Sequence, residues 1–135
     1  SEDALRCARL NAEQLALDVD WRCGCWFEPV RGERWDLVVS NPPYIAEADA
    51  HLSEGDLPAE PRTALVGGAT GLEALQEIIC LTPNALSPGG WLLLEHGYDQ
   101  AGAVASMLRD VGFRGVDTRS DWSGQPRITG GQWVS

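Results

Sequence analysis

Apolar residues recur along this chain in two rhythms, one helical and one strand-like. Ala4, Leu5, Ala8 and Leu15 follow Ser1-Glu2-Asp3, an opening that suits a helix N-terminus, and predict an amphipathic helix to about Leu17. Residues 19–22 read as a short strand, and residues 28–34 as a turn around Pro29 and Gly32. Trp35 to Ser40 is apolar and β-branched without alternation, which predicts a parallel strand covered on both faces. Residues 41–70 are irregular and rich in Pro, Gly and acid; so long a loop in a compact domain is usually functional. A helix is predicted over 71–86, re-angled near Pro83, then a turn at Ser87-Pro88-Gly89-Gly90 and a second buried strand over 91–95. Ala101, Val104, Ala105 and Leu108 form the stripe of a helix over 99–111, with Gly112 as its C-cap. Strands over 113–118 and 127–134 close the chain.

Alternating helices and strands predict an α/β fold with a mostly parallel sheet. The pattern begins in a helix, whereas an α/β nucleotide-binding unit opens with a strand and a glycine-rich turn. Gly67-Gly68-Ala69-Thr70-Gly71 follows a loop rather than a strand, and reads as a flexible entry to a helix instead of a phosphate cradle.

Charge narrows the function classes. The 135 residues carry 20 acidic and 10 basic side chains, a net charge of -10, and every basic residue is arginine. Such a chain is poorly matched to a phosphate backbone, which calls for clustered basic groups. Of Cys7, Cys23, Cys25 and Cys80, only Cys23-Gly24-Cys25 is clustered, so free thiols are expected rather than a zinc site. No apolar run reaches the length of a membrane span and no signal peptide opens the chain, so a cytoplasmic location is expected.

The candidate chemistry lies at Asn41-Pro42-Pro43-Tyr44, where the first strong strand ends. In open α/β sheets ligands sit beyond the carboxyl ends of strands. Asn41 offers a carbonyl acceptor and an NH2 donor. Pro42 and Pro43 lack N–H groups and hold their backbone stiff, so the loop shows carbonyls without competing donors. Tyr44 adds a flat face. This set suits a planar NH2 group whose two hydrogens are accepted and whose nitrogen is aimed at an electrophile, a preorganised arrangement of dipoles. By itself Asn-Pro-Pro also reads as a turn after a strand.

A wider set of residues carries a resemblance. Val38-Val39-Ser40-Asn41-Pro42-Pro43-Tyr44-Ile45, His51-Leu52, Glu54-Gly55-Asp56-Leu57, Glu60-Pro61-Arg62, Ala64-Leu65 and Leu92-Leu93-Leu94-Glu95-His96-Gly97 resemble the HemK/PrmC family, the N(5)-glutamine methyltransferases of peptide chain release factors. The Asn-Pro-Pro-Tyr motif alone also occurs in adenine and guanine amino-methyltransferases; the other segments are narrower. The resemblance implies a Rossmann-like methyltransferase fold with an antiparallel C-terminal strand. It implies S-adenosylmethionine as methyl donor and the glutamine of a Gly-Gly-Gln loop as acceptor. Asn41 and the Pro42 carbonyl would accept the amide hydrogens, and Pro43 and Tyr44 would flank the substrate. Trp26, otherwise a core aromatic, would line the adenine pocket, with Asn41 near both ligands.

Two departures from the family's pattern stand out. Its cofactor loop, first strand and helical N-terminal domain would precede Ser1, so residues 1–135 are expected to be part of a catalytic domain, inactive and poorly stable alone. Cys25 stands where the family often has an acidic residue. The alternatives are a nucleic-acid amino-methyltransferase, which the charge disfavours, and a non-catalytic interaction domain. Glu95 is expected to be tied to backbone amides, and Gly130-Gly131-Gln132 to match the substrate tripeptide by coincidence.

Overall fold

The computed structural model describes residues 1–134, which form two compact units divided after Glu33. In the first, helix α1 (Glu2–Gln14) is capped by the Ser1 hydroxyl, which accepts from the Ala4 N–H at 3.4 Å; Glu2 and Asp3 in its first turn suit the helix dipole. It stops at Leu15, and Ala16 takes a left-handed φ of 52°. The strand expected over 19–22 does not form. A strand exists only within a ladder, and no neighbour bonds to this stretch. Arg22 instead pairs with Asp20 at 2.7 Å and with Glu33, and donates to the Pro29 carbonyl at 3.2 Å, which folds the segment back on itself.

The second unit is a four-stranded sheet with two main helices. Strands β1 (Trp35–Ser40), β2 (Leu86–Glu95), β3 (Arg114–Ser120) and β4 (Pro126–Gln132) lie in the order β1-β2-β4-β3. β1 runs parallel to β2, and β4 is antiparallel to both its neighbours, so three strands point one way and the C-terminal strand points against them. The expected turn at 87–90 is a bulge inside β2: Trp35 pairs with Leu86 and Leu37 with Trp91. Gly89 has φ 86° there, and Gln132 donates its side-chain N–H to the Gly89 carbonyl at 2.9 Å. Gly130 and Gly131 stand within β4, where a Cβ on Gly130 would fall 2.8 Å from the Leu92 carbonyl oxygen. Gly130-Gly131-Gln132 is thus an element of sheet packing.

Helix α3 (Glu73–Leu81) is shorter than expected, since Thr82–Asn84 tightens into a 3-10 turn before Ala85 and β2. Its Ala74, Leu75, Ile78 and Ile79 are buried, as are Val104, Ala105 and Leu108 of helix α4 (Ala101–Val111). With Leu86, Leu92, Leu94 and Phe113 they make the core, on one face of the sheet. Gly112 ends α4 with φ 114°, its N–H reaching the carbonyls of Leu108 and Arg109. On β1 the expectation of cover on both faces is corrected. Val38 is half-buried on the core side, whereas Leu37 and Val39 are 54% and 67% exposed. Their alternation shows a strand packed on one face within this unit.

Candidate functional site

Because β1 and β2 are parallel and in register from Leu37 to Ser40, their carboxyl ends reach one rim together. β1 delivers Asn41 there and β2 delivers Glu95 and His96. The segment that follows Asn41 is braced rather than slack. It holds two 3-10 turns (Ala50–Ser53 and Leu57–Ala59) and the short helix α2 (Arg62–Leu65), and returns to pair Ile45 with Val66 in an isolated parallel bridge. Ile45 N–H donates to the Leu65 carbonyl at 2.9 Å, Gly67 N–H to the Ile45 carbonyl at 3.0 Å, and Glu47 N–H to the Gly68 carbonyl at 2.9 Å.

The glycine-rich stretch is neither a phosphate cradle nor a loose hinge. A Cβ on Gly67 would lie 2.3 Å from the Pro43 carbonyl oxygen, and one on Gly71, whose φ is 80°, would lie 2.3 Å from that of Tyr44. These glycines let two backbones touch. The following helix is secured by Glu73, whose carboxylate accepts from the Thr70 N–H at 3.0 Å, while Thr70 Oγ1 accepts from the Leu72 N–H at 3.3 Å. The Thr70 bond holds the Glu73 carboxyl below its ordinary value.

The loop's oxygens therefore divide sharply. The Tyr44 carbonyl accepts from Gln100 Nε2 at 2.9 Å, the Ile45 carbonyl is taken by Gly67, and the Pro43 carbonyl is covered by Gly67. The Pro42 carbonyl and the exposed Asn41 carboxamide take part in no hydrogen bond among the described residues. Tyr44 is half-buried and its hydroxyl donates to Glu95 Oε1 at 3.2 Å. Burial first, and Glu95 second, raise the Tyr44 phenol above its ordinary value, which keeps it a donor. Glu95 thus serves a side chain, not the backbone amides expected of it. His96 turns into the core, fully buried, with Nδ1 donating to the Gly97 carbonyl at 2.8 Å and Nε2 2.7 Å from Thr129 Oγ1.

Beside Tyr44 lies a cavity of about 360 Å³, lined by Asp49, His51, Gln100, Tyr98 and Arg127 among others. Arg127 sits 5.9 Å from the Tyr98 ring centroid and pairs with Asp121 at 3.3 Å. Asn41 and Pro42 do not line this cavity. Trp26 belongs to the first unit, half-buried, with a left-handed φ of 45°. A bulky residue held there is a strained exception, and such strain concentrates at functional positions. Cys25 next to it is exposed, and all four cysteines are free thiols. Sequence reasoning missed Gln100, Gly67 and Gly71 as braces; the glycine spacing marked a turn but not the partner it closes on. Among the described residues no cluster of metal-ligating side chains occurs, and no helix is long and apolar enough to cross a membrane.

This sheet, with its antiparallel last strand and a stiff loop at the carboxyl rim, is the α/β fold of a methyltransferase: a methyltransferase of Pyrococcus furiosus superposes with a TM-score of 0.69 at 17% identity, over 100% of this chain and 60% of that one. No protein-family model matches the chain. The release factor glutamine methyltransferase of Yersinia pestis is 50% identical over 133 residues, 98% of this chain and 48% of its own length. That of Pseudomonas aeruginosa is 47% identical over 134 residues, 98% and 49% respectively. Over nearly its whole length the chain is similar in sequence to release factor glutamine methyltransferases. It spans about half the length of the curated relatives it matches.

Proposed function

We propose that this chain carries the acceptor side of a site that transfers a methyl group from S-adenosylmethionine to the side-chain amide nitrogen of glutamine in the Gly-Gly-Gln motif of a release factor. One observation carries the reading. Of the oxygens at the end of β1, the Asn41 carboxamide and the Pro42 carbonyl are left without partners, while the next carbonyls are bonded or covered. Two adjacent unpartnered acceptors on a stiff backbone, at exposed Asn41 and buried Pro42, match in number the two N–H bonds of a primary amide. Accepting both fixes the plane of the carboxamide and stabilises positive charge that grows on its nitrogen during attack. Pro43 and Tyr44 bound the place where that carboxamide lies. S-adenosylmethionine, when bound, supplies an electrophilic methyl group. On the family resemblance Trp26 would line the adenine pocket, and Asn41 would stand near the methyl donor as well as the acceptor. The closed turn at Gly67 and Gly71 does not fit as a cofactor loop, since Pro43 and Tyr44 already fill it. The partner is a release factor in the cytoplasm, and a net charge of -10 argues against a nucleic-acid acceptor.

The test is a chimera in which this chain replaces the aligned segment of the Yersinia pestis relative, assayed for methyl transfer to a release factor. Transfer is expected, with Asn41→Ala lowering it about a hundredfold, the usual size of losing one preorganised dipole. Thermal stability should barely change, because the Asn41 side chain bonds to nothing in the fold. Near-normal transfer by Asn41→Ala, or methylation of nucleic acid instead, would reject the reading.

A further inference from the structure

Gln100 spends its whole side chain on three backbone segments. Its Nε2 donates to the Tyr44 carbonyl at 2.9 Å and to the Gly71 carbonyl at 3.3 Å; its Oε1 accepts from the Gly97 N–H at 2.8 Å. Those segments are the acceptor loop, the glycine turn that closes on it, and the turn leaving β2. Gln100 also stands at the N-cap of α4, with its backbone carbonyl accepting from the Val104 N–H at 3.0 Å, so its own position is fixed by the core helix. The Tyr44 carbonyl is two residues from the free carbonyl of Pro42, across prolines that transmit orientation with little slack.

We infer that Gln100 is the positioning residue of the acceptor site: its carboxamide ties the Asn-Pro-Pro-Tyr loop to α4 and thereby sets where the Pro42 carbonyl and the Asn41 side chain stand. This rests on the reading proposed above for those two groups. The residue touches no reacting atom. It acts by leaving the loop one rigid arrangement instead of several, which matters because a small misplacement of an acceptor costs rate steeply. The amide is required at both ends. A carboxylate at this position keeps the bond from Gly97 but turns an oxygen toward the Tyr44 and Gly71 carbonyls, and an apolar side chain loses all three bonds.

Amide hydrogen exchange on the full chain separates these cases. In Gln100→Met, exchange is expected to quicken about tenfold at Gly97 and at the clasp amides of Ile45, Glu47 and Gly67, roughly the net worth of one hydrogen bond. In Gln100→Glu, Gly97 stays protected while the clasp amides quicken. Acidification, which gives the new carboxyl an O–H donor, restores their protection relative to Gln100→Met at the same pH. Clasp amides unchanged in both variants overturn the inference, and so does an equal loss at the core amides of Leu92 and Leu94, which would make Gln100 only a fold residue. In the chimera, Gln100→Glu should lower kcat for the release factor at least tenfold with little change in KM for S-adenosylmethionine. A chimera that transfers no methyl at all while the exchange pattern holds would sink the proposed reaction and leave the positioning role standing.

Discussion

Gly67 sits against Pro43 so closely that a Cβ built on it would fall 2.3 Å from the Pro43 carbonyl oxygen. The neighbour is backbone and cannot swing aside as a side chain could. Gly67→Ala should therefore force the clasp open, costing about 1–3 kcal/mol as overpacking does. Gly102, exposed in α4 with nothing within 4 Å of a Cβ, is the control: Gly102→Ala should stabilise by about 0.5 kcal/mol through helix propensity alone. Thermal or urea unfolding of the two variants should move in opposite directions.

The contrast between these glycines marks what was legible in the sequence. Apolar runs at Leu37-Val38-Val39 and Leu92-Leu93-Leu94 announced β1 and the end of β2, and the stripe Val104, Ala105, Leu108 with Gly112 announced α4, because those signals are local. Asn41 and Pro42 stood out as candidate acceptors from residue chemistry at a strand end, a role that remains a proposal. The rest depended on partners far along the chain. Nothing local tells that Gly71 must approach Tyr44, that Gln100 must reach the same carbonyl, or that residues 19–22 lack a ladder partner. The open face of β1 was equally hidden: a run of three apolar residues looks the same whether one face is covered or two.

Tyr44 makes a prediction in pH. Its phenol is raised above the ordinary 10.0 by burial and by Glu95, so the folded state holds this proton more tightly than the unfolded state does. Whatever the phenol's hydrogen bond contributes is intact below pH 10 and is lost as pH climbs through the raised value. The chain has two tyrosines, so tyrosinate absorbance should show a late step that Tyr44→Phe abolishes. The same variant should cost about 0.5–1.5 kcal/mol near neutrality, since the Glu95 carboxylate loses its donor.

His51 and Asp49 form a second titrating pair, at the cavity beside Tyr44, with Nδ1 2.7 Å from the Asp49 carboxylate. The hydrogen bond to Asp49 raises His51 above its ordinary 6.5, and the bond from the His51 backbone lowers Asp49 below 3.8. The pair is whole between those ordinary values. It is lost on acidification through the lowered Asp49 value and on alkalinisation through the raised His51 value. An NMR titration should find the His51 ring protonated at pH 6.5 by more than half, and Asp49→Asn should return its midpoint toward 6.5. His51 is exposed and Asp49 partly so, so solvent screens the pair and the unfolding free energy should hardly register the change.

The outer edge of β1 yields the last prediction. Within its unit β1 pairs with β2 alone, so one side of Trp35–Ser40 presents unpaired N–H and C=O groups. Natural edge strands are usually protected by lysine, proline, a bulge or a covering element. Here the middle of the strand offers Leu37 and Val39, 54% and 67% exposed, and its one charged side chain is Asp36. A second copy of the chain supplies the same unsatisfied edge and the same apolar row, and the two can pair without any new chemistry. Sedimentation of the full chain should show association that grows with concentration, and Val39→Lys should suppress it by placing a charge in that row. The inward-facing Val38 makes the control: Val38→Ala thins the core side of the strand and should lower stability without abolishing association. A chain that stays monomeric at high micromolar concentration, with its sheet intact by circular dichroism, would show that this edge is protected by something other than pairing.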